Sequence, residues 1–146
     1  MSSKHPKRKP RPGVDEYGRT PLHYAARDGN AEDAKALLAA GLDPATQDDE
    51  GWTPLHFAAQ AVSPQVTEIL LAAGANPELR DIHGNTVLWR AVMSSKGRGG
   101  VIQLLLSVGA NARAHNLHGV SPLDIAQSSS HNLAQFFAEL KNESEA

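Results

Sequence analysis

The stretch GRTPLHYAARDGN, residues 18–30, returns 33 residues later as GWTPLHFAAQAVS, residues 51–63. A tandem period of this length constrains the fold strongly, because a unit too short to bury its own apolar face must bury it against its neighbours. Aligned on the leucine of TPLH, the chain divides into units 15–47, 48–80 and 81–115, the third with two extra residues, and a divergent unit 116–146. The units open DEYGRTPLH, DEGWTPLH, DIHGNTVLW and NLHGVSPLD, and the first three close LLAAGLDP, LLAAGANP and LLSVGANA.

Each fragment of the pattern has a local physical role. Thr20, Thr53, Thr86 and Ser121 are N-cap residues whose hydroxyls accept from a free first-turn amide, and Pro21, Pro54 and Pro122 sit at the first helical position, where no donor is needed. Ser121 and Asp124 form a capping box with Asp in place of Glu. Gly41, Gly74 and Gly109 end the second helix of a unit in the left-handed conformation, and Gly18, Gly51, Gly84 and Gly119 turn the chain between units. The unit is therefore turn, helix, short loop, helix, longer loop. Leu22, Leu55, Leu88 and Leu123 are expected to pack against their equivalents in adjacent units.

The D-x-x-G-x-T-P-L-H-x-A-A pattern makes the chain resemble the ankyrin-repeat family over residues 15 to about 140. The resemblance implies an all-α solenoid of about four helix-turn-helix units joined by short hairpin-like loops. Two units match almost fully. The third has Val87 for Pro, Trp89 for His and a lengthened loop SSKGRGG, residues 94–100; the fourth has Asp124 in the His place. Its last segment, HNLAQFFAELKNE, is expected to form an amphipathic capping helix through Leu133, Phe136, Phe137 and Leu140. The resemblance also makes His23 and His56 structural groups that bond near their own N-cap Thr and tie adjacent hairpins together.

There is no cysteine, so disulfides, thiolate metal sites and cysteine nucleophiles are excluded. Residues 1–14 hold Lys4, Lys7, Arg8, Lys9 and Arg11 and no acid, while the other nine of the 14 basic residues face all 16 acidic ones, a net of −7. The proline-rich basic segment 1–14 is expected to be extended and mobile, with residues 15–146 forming the repeat domain. No apolar run approaches the length of a membrane span, and no apolar segment follows the N-terminal basic residues. A cytoplasmic location is expected, or a nuclear one if the basic segment serves as an import signal.

Catalytic and metal patterns are weak. His115 and His118 form an H-x-x-H across a unit boundary without a third ligand in register, and SSKGRGG lacks the Gly-Lys-Ser/Thr ending of a phosphate loop and reads as a flexible insertion. Asp48, Asp49 and Glu50 read as a solvated charged tip, and Asn142-Glu-Ser144 as an accidental glycosylation match. Neither enzymatic activity, nor a cofactor, nor a small-molecule substrate is expected.

What changes between copies is what the scaffold leaves exposed. In ankyrin-like proteins these places are the hairpin tips and the exposed positions of the first helices, which line a concave surface. Here they are Glu16, Tyr17, Arg19, Tyr24 and Arg27, then Asp49, Glu50, Trp52, Phe57 and Gln60, then Ile82, His83, Asn85, Arg90 and Met93, with Leu117, His118, Val120 and Ile125 from the fourth unit. Tyr24 and Phe57 have packing beneath neighbouring hairpins as a second reading, whereas Trp52 is expected on the surface, since Arg19 holds its place one unit earlier. A monomer that binds a protein partner through this surface is the expectation. The alternatives are a dedicated inhibitor or immunity protein masking a basic active site, and nucleic-acid association through residues 4–11.

Overall fold

The hydroxyl-bearing residue ahead of each first helix does start one. In the computed structural model, which describes residues 11–138, the first helices of the four units are α1 (Pro21–Arg27), α3 (Pro54–Gln60), α5 (Val87–Ser94) and α7 (Pro122–Ser128). The second helices are α2 (Ala31–Ala39), α4 (Pro64–Ala72) and α6 (Gly100–Ser107), and a short 3-10 turn, Leu133–Phe137, follows α7. Thr53 and Thr86 accept the amides of His56 and Trp89, each at 3.3 Å. Ser121 and Asp124 exchange the two bonds of the capping box at 3.1 and 2.9 Å.

No helix buries its apolar side alone. The first helices form one row, α1 on α3 on α5 on α7, and α2, α4 and α6 form a second row behind it. Leu22, Leu55 and Leu88 lie between units and are at most 1% exposed, each worth about 1.5–3 kcal/mol of burial. Leu123 is only half-buried, because α7 has a first helix on one side alone among the described residues. No strand occurs among them either; the fold is an all-α repeat solenoid.

The hairpins are built on one side chain each. Asp15, Asp48, Asp81 and Asn116 use a single Oδ1 to accept the amides two and four residues ahead, at 2.8–3.0 Å. Successive hairpins are joined by one backbone bond per joint, from Asp49 to Tyr17, Ile82 to Glu50 and Leu117 to His83, at 2.9–3.0 Å. This close stacking is why Gly51 is required: its φ is +79°, and a Cβ there would lie 2.8 Å from the Cα of Asp81.

Three expectations change. Residues 1–10 of the basic segment lie outside the described residues, but residues 11–14 form a turn, with Val14 donating to Arg11 O and the Arg11 guanidinium 2.8 Å from Asp49. An acid at the hairpin tip gives that end of the segment a place to bind. The SSKGRGG loop is packed rather than flexible, since Ser95 is buried with its hydroxyl on Val92 O at 3.0 Å. Gly99 is pressed so closely under Phe136 that a Cβ would sit 2.3 Å from the ring. The capping segment begins as a five-residue 3-10 turn rather than an α-helix over Leu133–Phe137, entered through Asn132 at φ +54°, with Leu133 and Phe137 buried. Its residues from 139 onward, Leu140 among them, lie outside the described ones.

Candidate functional site

The signature histidines connect the scaffold to the variable surface. His23 Nδ1 accepts the Thr20 amide at 3.0 Å, so its Nε2 carries the proton and donates to Trp52 O at 3.0 Å. His56 repeats this, accepting from Thr53 at 3.2 Å and donating to Asn85 O at 3.1 Å. Burial pushes both imidazoles below the usual histidine range, against the opposing pull of those carbonyl bonds. They are neutral ties between hairpins, as the resemblance implies. Trp89 holds this place in the third unit, and its indole N–H is buried without an acceptor. That joint is closed instead by Asn116 Nδ2 on Asn85 Oδ1 at 2.9 Å and by Arg80 Nη1 on His115 O at 2.7 Å.

The front face is the surface shared by the hairpins and the exposed positions of α1, α3, α5 and α7. Of the residues expected on it, Glu16, Tyr17, Arg27, Glu50, Gln60, Ile82, His83, Met93, Leu117 and His118 are exposed. Arg19, Tyr24, Asp49, Arg90, Val120 and Ile125 are half-buried. Trp52, Phe57 and Asn85 are not surface residues; they are 9%, 6% and 4% exposed. The Trp52 ring packs 4.9 Å from Phe57 and 5.8 Å from His56 of its own unit, centroid to centroid, and faces the third unit, whose Arg90 lies over it. Packing was the second reading for Phe57 and holds for it, with His23 edge-on at 5.9 Å. Asn85 is held by Asp81 and Asn116 as part of the turn network.

These contacts explain why one copy opens on arginine and the next on tryptophan. At the first joint Arg19, from a hairpin, lies 5.1 Å from the ring of Phe57, on the next unit's helix. At the second joint the same two repeat positions hold Trp52 and Arg90, and Arg90 lies 4.6 Å from the ring of Trp52. Cation and ring have exchanged places across the joint, preserving an attraction of about 0.5–2 kcal/mol depending on desolvation. The third joint has Asn85 and Ile125 there, neither a cation nor a ring.

The charges on the face are unequally satisfied. Arg19 donates from Nε to Asp48 Oδ2 at 3.1 Å and also lies 5.0 Å from the Tyr17 ring. Tyr24 donates to Asp15, beneath Arg27 at 4.7 Å from its ring, and Arg27 meets Asp28 at 3.1 Å. Asp48 is buried rather than a solvated tip, because one oxygen caps its hairpin and the other holds Arg19. Sequence reasoning missed this role although an Asp or Asn opens every unit. Arg90 is different: its Nε is buried and no acceptor lies within hydrogen-bond distance.

A family model described as Ankyrin repeats (3 copies) matches residues 4–81 and 28–116. No curated protein matches the chain.

Proposed function

This chain belongs to the ankyrin-repeat family, and we propose that it is a non-catalytic protein-interaction module whose front face holds the partner. Ankyrin repeats are generally protein–protein interaction modules. The observation that carries the reading here is that Tyr17, Arg27, Ile82 and Met93 stand exposed on the front face, while Trp52, Phe57 and Asn85 are buried in the scaffold. Aromatic and arginine side chains framed by charge have the composition of binding hot spots.

A second reading, that the partner is a protein with a basic surface that this chain masks, is favoured by the tips of the first two units. Glu16 and Glu50 stand exposed there. Such tips steer a basic partner and speed its approach at low salt. Nucleic-acid association through residues 4–11 rests mainly on residues outside those described.

The test is selection of binders from a random-peptide display library on the intact chain, followed by affinity measurement on surface variants. Tyr17→Ala and Arg27→Ala should each weaken binding at least ~10-fold, and Glu68→Ala, on the exposed side of α4, should leave it unchanged. The reverse pattern would place the partner on the second row of helices.

A further inference from the structure

Arg90 is the half-buried arginine of the front face that the fold leaves unpaired. Among the described residues Arg11, Arg19 and Arg27 each hold a carboxylate and Arg80 holds two carbonyl oxygens. Arg98 and Arg113 have no such partner either, but they stand exposed in water. The acid nearest in sequence, Asp81, is committed elsewhere, with Oδ1 on the amides of His83 and Asn85 and Oδ2 on the Asn85 side chain at 3.4 Å. A partly desolvated guanidinium without an anion is costly to keep. Burial accordingly pulls its proton affinity down, with only the field of Asp81 opposing.

The surroundings narrow what completes it. Arg90 is pinned over Trp52 at 4.6 Å and near Trp89 at 5.3 Å, which presets its orientation. The hairpin tips change character at this point in the stack. Units one and two carry Glu16, Asp49 and Glu50, whereas units three and four carry Ile82, His83, Leu117 and His118. Ile82, Leu117 and Met93 are 57%, 75% and 52% exposed. Arg90 therefore stands on the unit whose own tip, and the tip of the unit that follows, carry exposed apolar residues and no acid. A lone guanidinium matches a singly charged carboxylate, which it binds through two parallel N–H bonds; a dianionic phosphate calls for more positive charge than one arginine supplies.

We infer that Arg90 anchors an Asp or Glu side chain of the partner, presented by an apolar-flanked segment seated on Ile82 and Leu117. This rests on the front-face reading above and adds the chemistry of the partner. It also gives the bound segment a polarity: its basic residues face units one and two, and its acid faces unit three.

The experiment selects binders from two display libraries, random peptides and the same design without Asp and Glu, and measures them on the intact chain. Both tryptophans of the chain lie beside Arg90, so intrinsic fluorescence reports its occupancy. Binders from the full library should carry an acid among apolar residues and shift the fluorescence. They should lose at least ~30-fold in affinity on Arg90→Gln and less on Arg90→Lys, which keeps the charge without the planar fork. Denaturation of Arg90→Gln, which gives up the Trp52 contact but no carboxylate, should lower the midpoint less than Arg19→Gln, which loses a ring contact and its bond to Asp48 together. An equal or greater fall for Arg90→Gln assigns Arg90 to the scaffold and overturns the inference. Acid-free binders of equal affinity that still depend on Tyr17 or Arg27 overturn it while leaving the front face standing. Binders indifferent to Tyr17→Ala, Arg27→Ala and Arg90→Gln remove the front-face reading and the inference together.

Discussion

The guanidinium of Arg90 lies 4.6 Å from the centre of the Trp52 ring, in the geometry by which Arg19 meets Phe57 one joint earlier but with cation and ring exchanged. Trp52 is thereby a part of the stack and not an exposed anchor. Trp52→Ala should cost about 3–5 kcal/mol, the range for emptying a large aromatic site, and chemical denaturation reads it directly. A loss under about 0.5 kcal/mol would return Trp52 to the surface.

Replacing Asp48 separates its two duties. Asp48→Asn keeps an oxygen for the two hairpin amides and gives up only Arg19, as Asn116 already does in the fourth unit, so the loss should be small. Asp48→Ala leaves buried amides without an acceptor and should cost about 1–3 kcal/mol. Equal denaturation midpoints for the two variants would contradict the assignment.

Position 52 shows where the sequence stops being legible. The caps are read correctly because each is fixed by bonds within its own unit, and the turn glycines and the leucine row because the same residue type recurs at the same place in successive copies. The exposure of Trp52 is misread because its neighbour belongs to the next unit. Arg19 with Phe57 and Trp52 with Arg90 compensate across a joint, and aligning copies column by column hides pairs formed between two different columns. Asp48 is misread for a similar reason: beside Asp49 and Glu50 it looks like one of three solvated acids, yet only it opens the turn. The loop at 94–100 looks flexible from its glycines. Gly99 is there because the Phe136 ring leaves no room for a Cβ.

Gly99→Ala should therefore loosen the cap. Overpacking of this kind costs about 1–3 kcal/mol, and Phe136→Ala in the same chain should recover part of it. Thermal denaturation of the single and double variants gives the comparison; additive losses would show that the loop and the cap do not touch.

Acid should weaken the stack through His23 and His56. Both are held neutral in the fold and lie below the ordinary value of 6.5, so the unfolded chain takes up protons first. Stability from this source is fully present above about pH 6.5 and is lost as the pH falls through that value toward the folded-state pKa, by at most about 1.4 kcal/mol per unit for each histidine. Denaturation midpoints measured from pH 7.5 to 5 should fall, and less steeply in His56→Gln. A flat profile would mean that the imidazoles take up protons in the fold as readily as in the unfolded chain.

The central claim, that partners dock on the front face while the second helix row serves only the stack, is tested most directly by amide hydrogen exchange of the chain with and without a selected binder. Binding should slow exchange across the three hairpins at residues 15–19, 48–52 and 81–85 and leave α2 and α4 unchanged. Protection confined to α2, α4 and α6, with the hairpins exchanging as in the free chain, would contradict it.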